Sequence, residues 1–261
     1  METSEIVWEI KKDSIRKMIQ SGKRSDGRAL DEYRKMEFLE NYIPKAQGSC
    51  LVKLGDTQVL VGIKMDVGEP YADSSDRGNL STSCELVPLA SPDFSAGPPG
   101  EESIETARVV DRGIRESKMI DFEKLCITEG EKVWTVLVDI HVLDHDGNLI
   151  DAASIAGVKA LLDAYLPKIE DGKVLYTERG DKLSVREKPV SSTFASIGGK
   201  NLLDPSYEEE RVMDSKFIIV TTEDGKICAM QKSGSGPYNR RDIEEMVETA
   251  IRRGKEVRKQ F

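Results

Sequence analysis

One segment limits the possible folds of this chain more than any other. Between Asp151 and Leu166 lie Ala152, Ala153, Ile155, Ala156, Val158, Ala160, Leu161 and Leu162. At about 100° per residue these side chains point to most sides of a helix instead of lining one stripe. Such a helix needs cover on several sides, so it belongs between two layers. The sequence predicts a helix over 151–166, closed by Pro167.

The other elements must be arranged around it. Alternating or apolar runs predict strands over 36–43, 49–54, 58–66 and 79–87, the second and third joined across Gly55-Asp56-Thr57. A mostly apolar strand is predicted over 133–143, ending at Asp146-Gly147. Ser4 to Ile19 reads as an amphipathic helix, with Ile6, Ile10, Ile15, Met18 and Ile19 on its apolar face. Glu101 to Lys118 reads as another, preceded by a Pro/Gly-rich loop at 92–100 that is expected to be a mobile surface segment.

Downstream, the polar stretch 168–188 reads as a connection. Strands are predicted over 190–197, 213–220 and 226–231, then a helix over 239–258. In that helix Ile243, Met246, Val247, Ala250 and Ile251 share a face, and Asn239 with Asp242 can form a capping pair. Strands followed by a packing helix, twice over, give an α+β fold: two similar lobes of mixed sheet plus an N-terminal helix. The expected division is 1–30 for the helix and a basic arm, 31–167 for the first lobe, 168–188 for the connection and 189–261 for the second lobe.

Charge narrows the function. With 47 acidic against 38 basic side chains, the net charge is −9. A chain this acidic can grip nucleic acid only through a local basic stripe, in a composite site. No apolar run reaches the roughly 18–20 residues of a membrane span, and the first twenty residues lack an apolar signal-peptide core. Cys50, Cys84, Cys126 and Cys228 are scattered, without a C-x-x-C pair, which argues against zinc ribbons and dithiol redox motifs and for reduced thiols in a cytoplasmic protein. His141 and His145 fall in or beside a strand and need not share a face. No metal site and no cofactor is expected.

The basic stripe is on the helix beginning at Glu101. Arg108, Arg112 and Arg115 fall within about 60° of one another, apart from the apolar stripe of Ala107, Val110 and Ile114. Guanidinium groups contact phosphates in pairs and stack on bases, which suits single-stranded RNA. The plainer reading has Asp111 with Arg115, and Arg112 with Glu116, as surface ion pairs.

Several motifs together point to a family. Arg24-Ser25-Asp26-Gly27-Arg28 followed by Arg34, then 48–52 and 55–59, then 107–115 and 146–153, resemble the RNase PH family across nearly the whole chain. Within it they look like the non-catalytic branch found in the archaeal exosome ring. The resemblance implies a hexameric ring in which this chain alternates with a catalytic RNase PH-type homologous subunit, under RNA-binding cap subunits. Phosphate would attack the RNA 3′ end at a subunit interface. It also implies that Arg108 and Arg112 lie on the path of single-stranded RNA, with Arg115 less involved because Asp111 claims it.

The resemblance also marks what is missing. Catalytic members place glycine, a hydroxyl residue and arginine in the loop before the buried helix, where free N–H groups bind phosphate. Here the run is Gly147-Asn148-Leu149-Ile150-Asp151, with no arginine. Asp151 is expected to cap the helix and to repel an incoming phosphate. The family's catalytic aspartates, six residues apart, correspond to Asp214 and either Glu208 or, without a gap, Arg211; the pair is not reproduced. The plain reading of 204–214 is a solvated acidic turn. No catalytic residue is therefore expected in this chain. The alternatives are a phosphorolytic enzyme active by itself and a pure scaffold whose arginines make only surface ion pairs.

Overall fold

The computed structural model describes residues 3–170 and 173–261, with side chains from residue 11 onward in the first helix. In chain order the elements are α1 (Thr3–Gln20), β1 (Met36–Glu40), β2 (Gly48–Leu54), β3 (Thr57–Gly68), β4 (Asn79–Leu86), α2 (Glu101–Glu116), β5 (Cys126–Thr128), β6 (Lys132–Asp144) and α3 (Leu149–Leu162). Then come β7 (Tyr165–Glu170), β8 (Lys173–Lys182), β9 (Val190–Ile197), β10 (Lys200–Leu203), α4 (Tyr207–Val212), β11 (Ser215–Thr221), β12 (Ile227–Gly234) and α5 (Arg240–Arg258).

The first sheet runs β1-β2-β3-β6-β4, with β5 also on β6; only β4 is parallel to its neighbour. In β3, Val59, Val61, Ile63 and Met65 turn inward and are fully buried, as alternation demands. The second sheet, β10-β9-β11-β12, is antiparallel throughout. Helix α3 packs on β2 and β3 of the first sheet and on β9 of the second; its alanines share one face, Ile155, Val158 and Leu161 cover others, and all are buried. It is the interlayer helix that its composition requires. Strand β9 is covered on both sides. Thr193, Ala195 and Ile197 face α3 and α1, while Phe194 packs with Met246 and Ala250 of α5. In α1, Ile15 and Ile19 are buried and Met18 is half-buried; the side chains of Ile6 and Ile10 lie outside the described residues. The Asn239–Asp242 capping box of α5 is formed.

Two expectations fail in one place. Helix α3 begins at Leu149 and stops at Leu162, and Tyr165–Glu170 is a strand despite Pro167. Neighbouring backbone captures the chain there: Tyr165 N–H donates to Gln47 O (3.1 Å) and Leu183 N–H to Ala164 O (2.9 Å). The register shifts on both sides of Pro167, which accommodates a residue with no N–H to give. Within the polar stretch expected to connect the lobes, β8 pairs with β7 as a hairpin that the sequence reading did not predict. Its two-stranded ribbon is largely exposed, so its strands carry polar residues and show no alternation. Elements β10 and α4, short and polar, also escape a periodicity reading.

The arm between α1 and β1 locks the layers together. Arg24, almost wholly buried, donates from Nε and Nη2 to both carboxylate oxygens of Glu209 (2.9 and 2.6 Å), and from Nη1 and Nη2 to the carbonyls of Leu203 and Asp204 (2.7 Å each). Arg28 Nη1 reaches Asp204 Oδ2 (2.9 Å). Arg34 donates to Asp204 from its backbone N and from Nη2 (2.8 Å each), and from Nη2 to Gly147 O (3.1 Å). Asp204 itself is fully buried, in the left-handed region at φ 52°. Burial alone would raise its carboxyl; the hydrogen bond and charge of Arg34, joined by Arg28, hold it below the usual range.

Asp204→Asn leaves two guanidinium groups facing a neutral amide, and we expect a loss of about 3–5 kcal/mol in denaturant unfolding. Because the folded value is depressed, Asp204 contributes its stability above the ordinary 3.8 and loses it as pH falls through the folded value. The difference between wild type and variant should therefore shrink in strong acid; a difference constant down to pH 2 would contradict this.

Candidate anion site and arginine-bearing helix

Helix α3 opens on a tight junction. Gly147 sits at φ 86°, and a Cβ there would lie 2.4 Å from the carbonyl carbon of Ser206, so only glycine lets the start of α4 approach. Thr57 Oγ1 donates to Gly147 O (2.7 Å) and accepts from Asp146 N–H (3.0 Å), which fixes the loop from below. Asn148, at φ 54°, is the residue before the helix, but its side chain does not cap it; Nδ2 donates to Asp151 Oδ2 (2.9 Å) and Asp204 Oδ1 (2.7 Å).

Asp151 departs from its expected role. It lies within the first turn and accepts from Thr193 N–H (2.9 Å), Thr193 Oγ1 (2.8 Å) and Tyr33 OH (3.2 Å), so its carboxylate crosses to β9 instead of capping its own helix. The anion at the helix start is Glu210, whose Oε1 accepts from Asn148 N–H (3.0 Å). Burial pushes its carboxyl up to about 7, against the attraction of Lys216. A free helix N-terminus attracts anions, and here the chain supplies its own.

The expected solvated acidic turn is α4, and most of its charge is engaged. Three successive acids, about 100° apart, point three ways. Glu208 pairs with Lys11 at the surface, Glu209 holds the buried Arg24, and Glu210 reaches α3. Asp214, just beyond, accepts from Arg16 Nη2 (2.6 Å) and Gly198 N–H (2.8 Å). Asp214 and Glu208, one of the two residues that the resemblance sets at the first catalytic position, thus face cations of α1; Arg211, the other, lies over the Tyr207 ring. Among the described residues no three His, Cys, Asp or Glu side chains converge as a metal site. His141 faces Glu85 at 3.4 Å, while His145 stacks on Phe94 (5.2 Å between centroids) and meets the edge of Tyr207 (5.4 Å). The Tyr207 hydroxyl in turn bonds Asp93. The Pro/Gly-rich loop, expected to be mobile throughout, is therefore pinned at Asp93 and Phe94. It closes one side of a cavity of about 230 Å³ lined by Asn148, Leu149, Thr193 and Glu210.

On α2, Ala107, Val110 and Ile114 are buried as expected, with Val109 beside them. The three arginines line one open depression of about 320 Å³, with Thr82 and Glu116. They differ in what holds them. Arg108 is exposed, and no described residue accepts a hydrogen bond from it. Arg112 is half-buried and donates from Nη1 to Gln231 Oε1 (3.2 Å) on β12, and among the described residues the expected pair with Glu116 is not formed. Arg115 pairs with Asp111, as the spacing suggested, and donates from Nη2 to Leu80 O (2.6 Å). Sequence reasoning missed Glu210 and Gln231. Nothing in a run of three glutamates distinguishes the third, and Gln231 acquires its meaning only when β12 lies beside α2.

Because the folded value of Glu210 is raised, its contribution to stability is present below the ordinary 4.5 and is lost as pH rises through about 7. Glu210→Gln keeps an acceptor for Asn148 N–H without the charge. We expect a melting temperature equal to wild type at pH 5 and a few degrees higher at pH 8. An equal difference at both pH values would rule out titration of Glu210 as the cause.

Comparison with known proteins places this arrangement. Residues 32–167 match the 3′ exoribonuclease family, domain 1, and residues 188–253 match its domain 2. The chain is 48% identical over 262 residues to the exosome complex component Rrp42 of Thermococcus kodakarensis, covering 99% of this chain and 96% of that protein. A solved Archaeoglobus fulgidus exosome with RNA bound to the active site contains a chain 48% identical, with a TM-score of 0.93 over 98% of this chain and 99% of that one. A second structure, an archaeal exosome core, gives 45% identity and a TM-score of 0.89 over 99% of each chain. With both domains matched and a full-length relative at this identity, the chain belongs to the RNase PH family of 3′ exoribonucleases.

Proposed function

We propose that this chain is a non-catalytic subunit of an archaeal exosome, and that it binds single-stranded RNA through Arg108 and Arg112 while completing the active site of a catalytic RNase PH-type homologue. One observation carries the non-catalytic reading. The helix start that would hold phosphate has no arginine, and it already faces the carboxylate of Glu210. The pairing of Glu208 and Asp214 with Lys11 and Arg16 supports it, because each acid already faces a cation of its own chain. In this reading the chain alternates with its catalytic partner in a hexameric ring beneath RNA-binding cap subunits. Assembly of this kind is suggested by the exosome structures that contain such similar chains. A cytoplasmic setting fits four unpaired thiols; among the described residues no helix is long and apolar enough to cross a membrane.

For RNA, the argument is local charge. In a chain of net charge −9, Arg108 is held by no described acceptor and Arg112 by a neutral amide, so both guanidinium groups keep their charge for phosphates. Arg115 is paired with Asp111 and contributes less.

Two measurements test this. The purified chain, given 3′-labelled RNA and phosphate, should show no turnover until mixed with its catalytic homologue; turnover by the chain alone would overturn the reading. In the reconstituted complex, Arg108→Glu with Arg112→Glu should weaken RNA binding and flatten its dependence on salt by at least about 1.4 in log–log slope, from roughly 0.7 per lost phosphate contact. Unchanged affinity and slope would leave a scaffold.

A further inference from the structure

Arg112 is the only one of the three arginines whose position depends on the second sheet, and the contact that sets it has an unusual chemistry. Gln231, on the edge strand β12, lies between two charged groups of α2. Its Nε2 donates to Glu105 Oε1 (2.7 Å), and its Oε1 accepts from Arg112 Nη1 (3.2 Å). An ionised carboxylate only accepts, and a guanidinium only donates. A residue that touches both at once must present a donor on one side and an acceptor on the other. A neutral primary amide does this without adding charge.

Glu105 is itself held from several directions. Ser233 Oγ donates to its Oε1 (2.7 Å) and Lys216 Nζ to its Oε2 (3.2 Å). Burial alone would raise its carboxyl, but these contacts outweigh it and keep Glu105 ionised. Lys216 offsets part of the charge of Glu105. Gln231 therefore passes the geometry of this anchored group to Arg112 without adding a charge of its own. Arg115 is the contrast on the same helix: Asp111 fixes it and cancels its charge in the same contact.

We propose that Gln231 is a positioning residue for RNA binding, which holds the Arg112 guanidinium toward the α2 depression while leaving its positive charge available to a phosphate. This rests on the reading of Arg108 and Arg112 as RNA contacts. An arginine free to sample its rotamers must be ordered when RNA arrives, and a pre-oriented one need not be. The sheet that carries β12 thereby contributes to affinity through a residue that need not touch RNA.

The test separates orientation from charge. In the reconstituted complex, binding of a labelled single-stranded oligonucleotide is measured across a range of salt for wild type, Gln231→Leu, Arg112→Gln and the double variant. Gln231→Leu should weaken binding about three- to tenfold, from the ordering that Arg112 must then undergo, with the salt slope unchanged. Arg112→Gln should weaken binding and lower the slope by about 0.7. The double variant should bind no more weakly than Arg112→Gln, because the effect of Gln231 passes through Arg112. Gln231→Glu, which adds a charge beside Arg112, should lower the slope as Arg112→Gln does. The proposal is overturned if Gln231→Leu leaves affinity unchanged while Arg112→Gln weakens it, or if its effect persists in the Arg112→Gln background. If Arg112→Gln and Arg108→Gln together change neither affinity nor slope, the RNA reading itself falls, and the role of Gln231 falls with it.

Discussion

Two buried carboxylates, on Asp204 and Glu209, meet three arginines from the arm that follows α1, and the relative placement of nearly every layer follows from that meeting. Arg24 fastens the arm to α4, Arg28 and Arg34 fasten it to the end of β10, and Arg34 also reaches the loop that begins α3. Buried charges are tolerated only when paired and hydrogen-bonded. Here each carboxylate has a bidentate or multiple set of donors, and the guanidinium groups also engage carbonyls left open at element ends. An arm that the sequence marks only as basic uses the charge of these three arginines inside the protein.

The same economy explains the helix start. The first turn of α3 offers unpaired N–H groups, and a catalytic relative would present them to phosphate. In this chain α4 is pressed against the turn by Gly147, and Glu210 arrives in place of a ligand. The proton that Glu210 holds to about 7 measures how reluctantly that carboxylate is buried. In the proposed reading, RNA contact and phosphate chemistry are separated: the first is assigned to the free or neutrally held arginines of α2, and the helix start where the second would occur is faced by an internal acid.

The fold was legible wherever packing is periodic. Helix α3 could be placed between layers from apolar residues on most of its sides, and the apolar face and cap of α5 were readable residue by residue. The hairpin β7–β8 was not, because an exposed ribbon has no inside face to select apolar residues. The arginines of α2 could be found by spacing, whereas their inequality could not. Whether a guanidinium meets an aspartate four residues away or an amide 119 residues away is decided by tertiary packing. Asp151 shows the limit most clearly. A carboxylate at a helix start has a local use, and it was drawn off by Thr193, which no local rule could place beside it.

The Arg24–Glu209 contact spans 185 residues of sequence. During synthesis, at about 5–20 residues per second, the arm therefore waits some 10–40 s for its partner to be made. Over that interval the first sheet can form, from the β1–β2–β3 meander and the longer-range pairing of β6 with β3 and β4, but Arg24 lacks the Glu209 carboxylate and α3 has only one of its two layers. The nascent chain thus carries a cationic arm more exposed than in the finished protein, and burial of that arm waits for residues made late in synthesis.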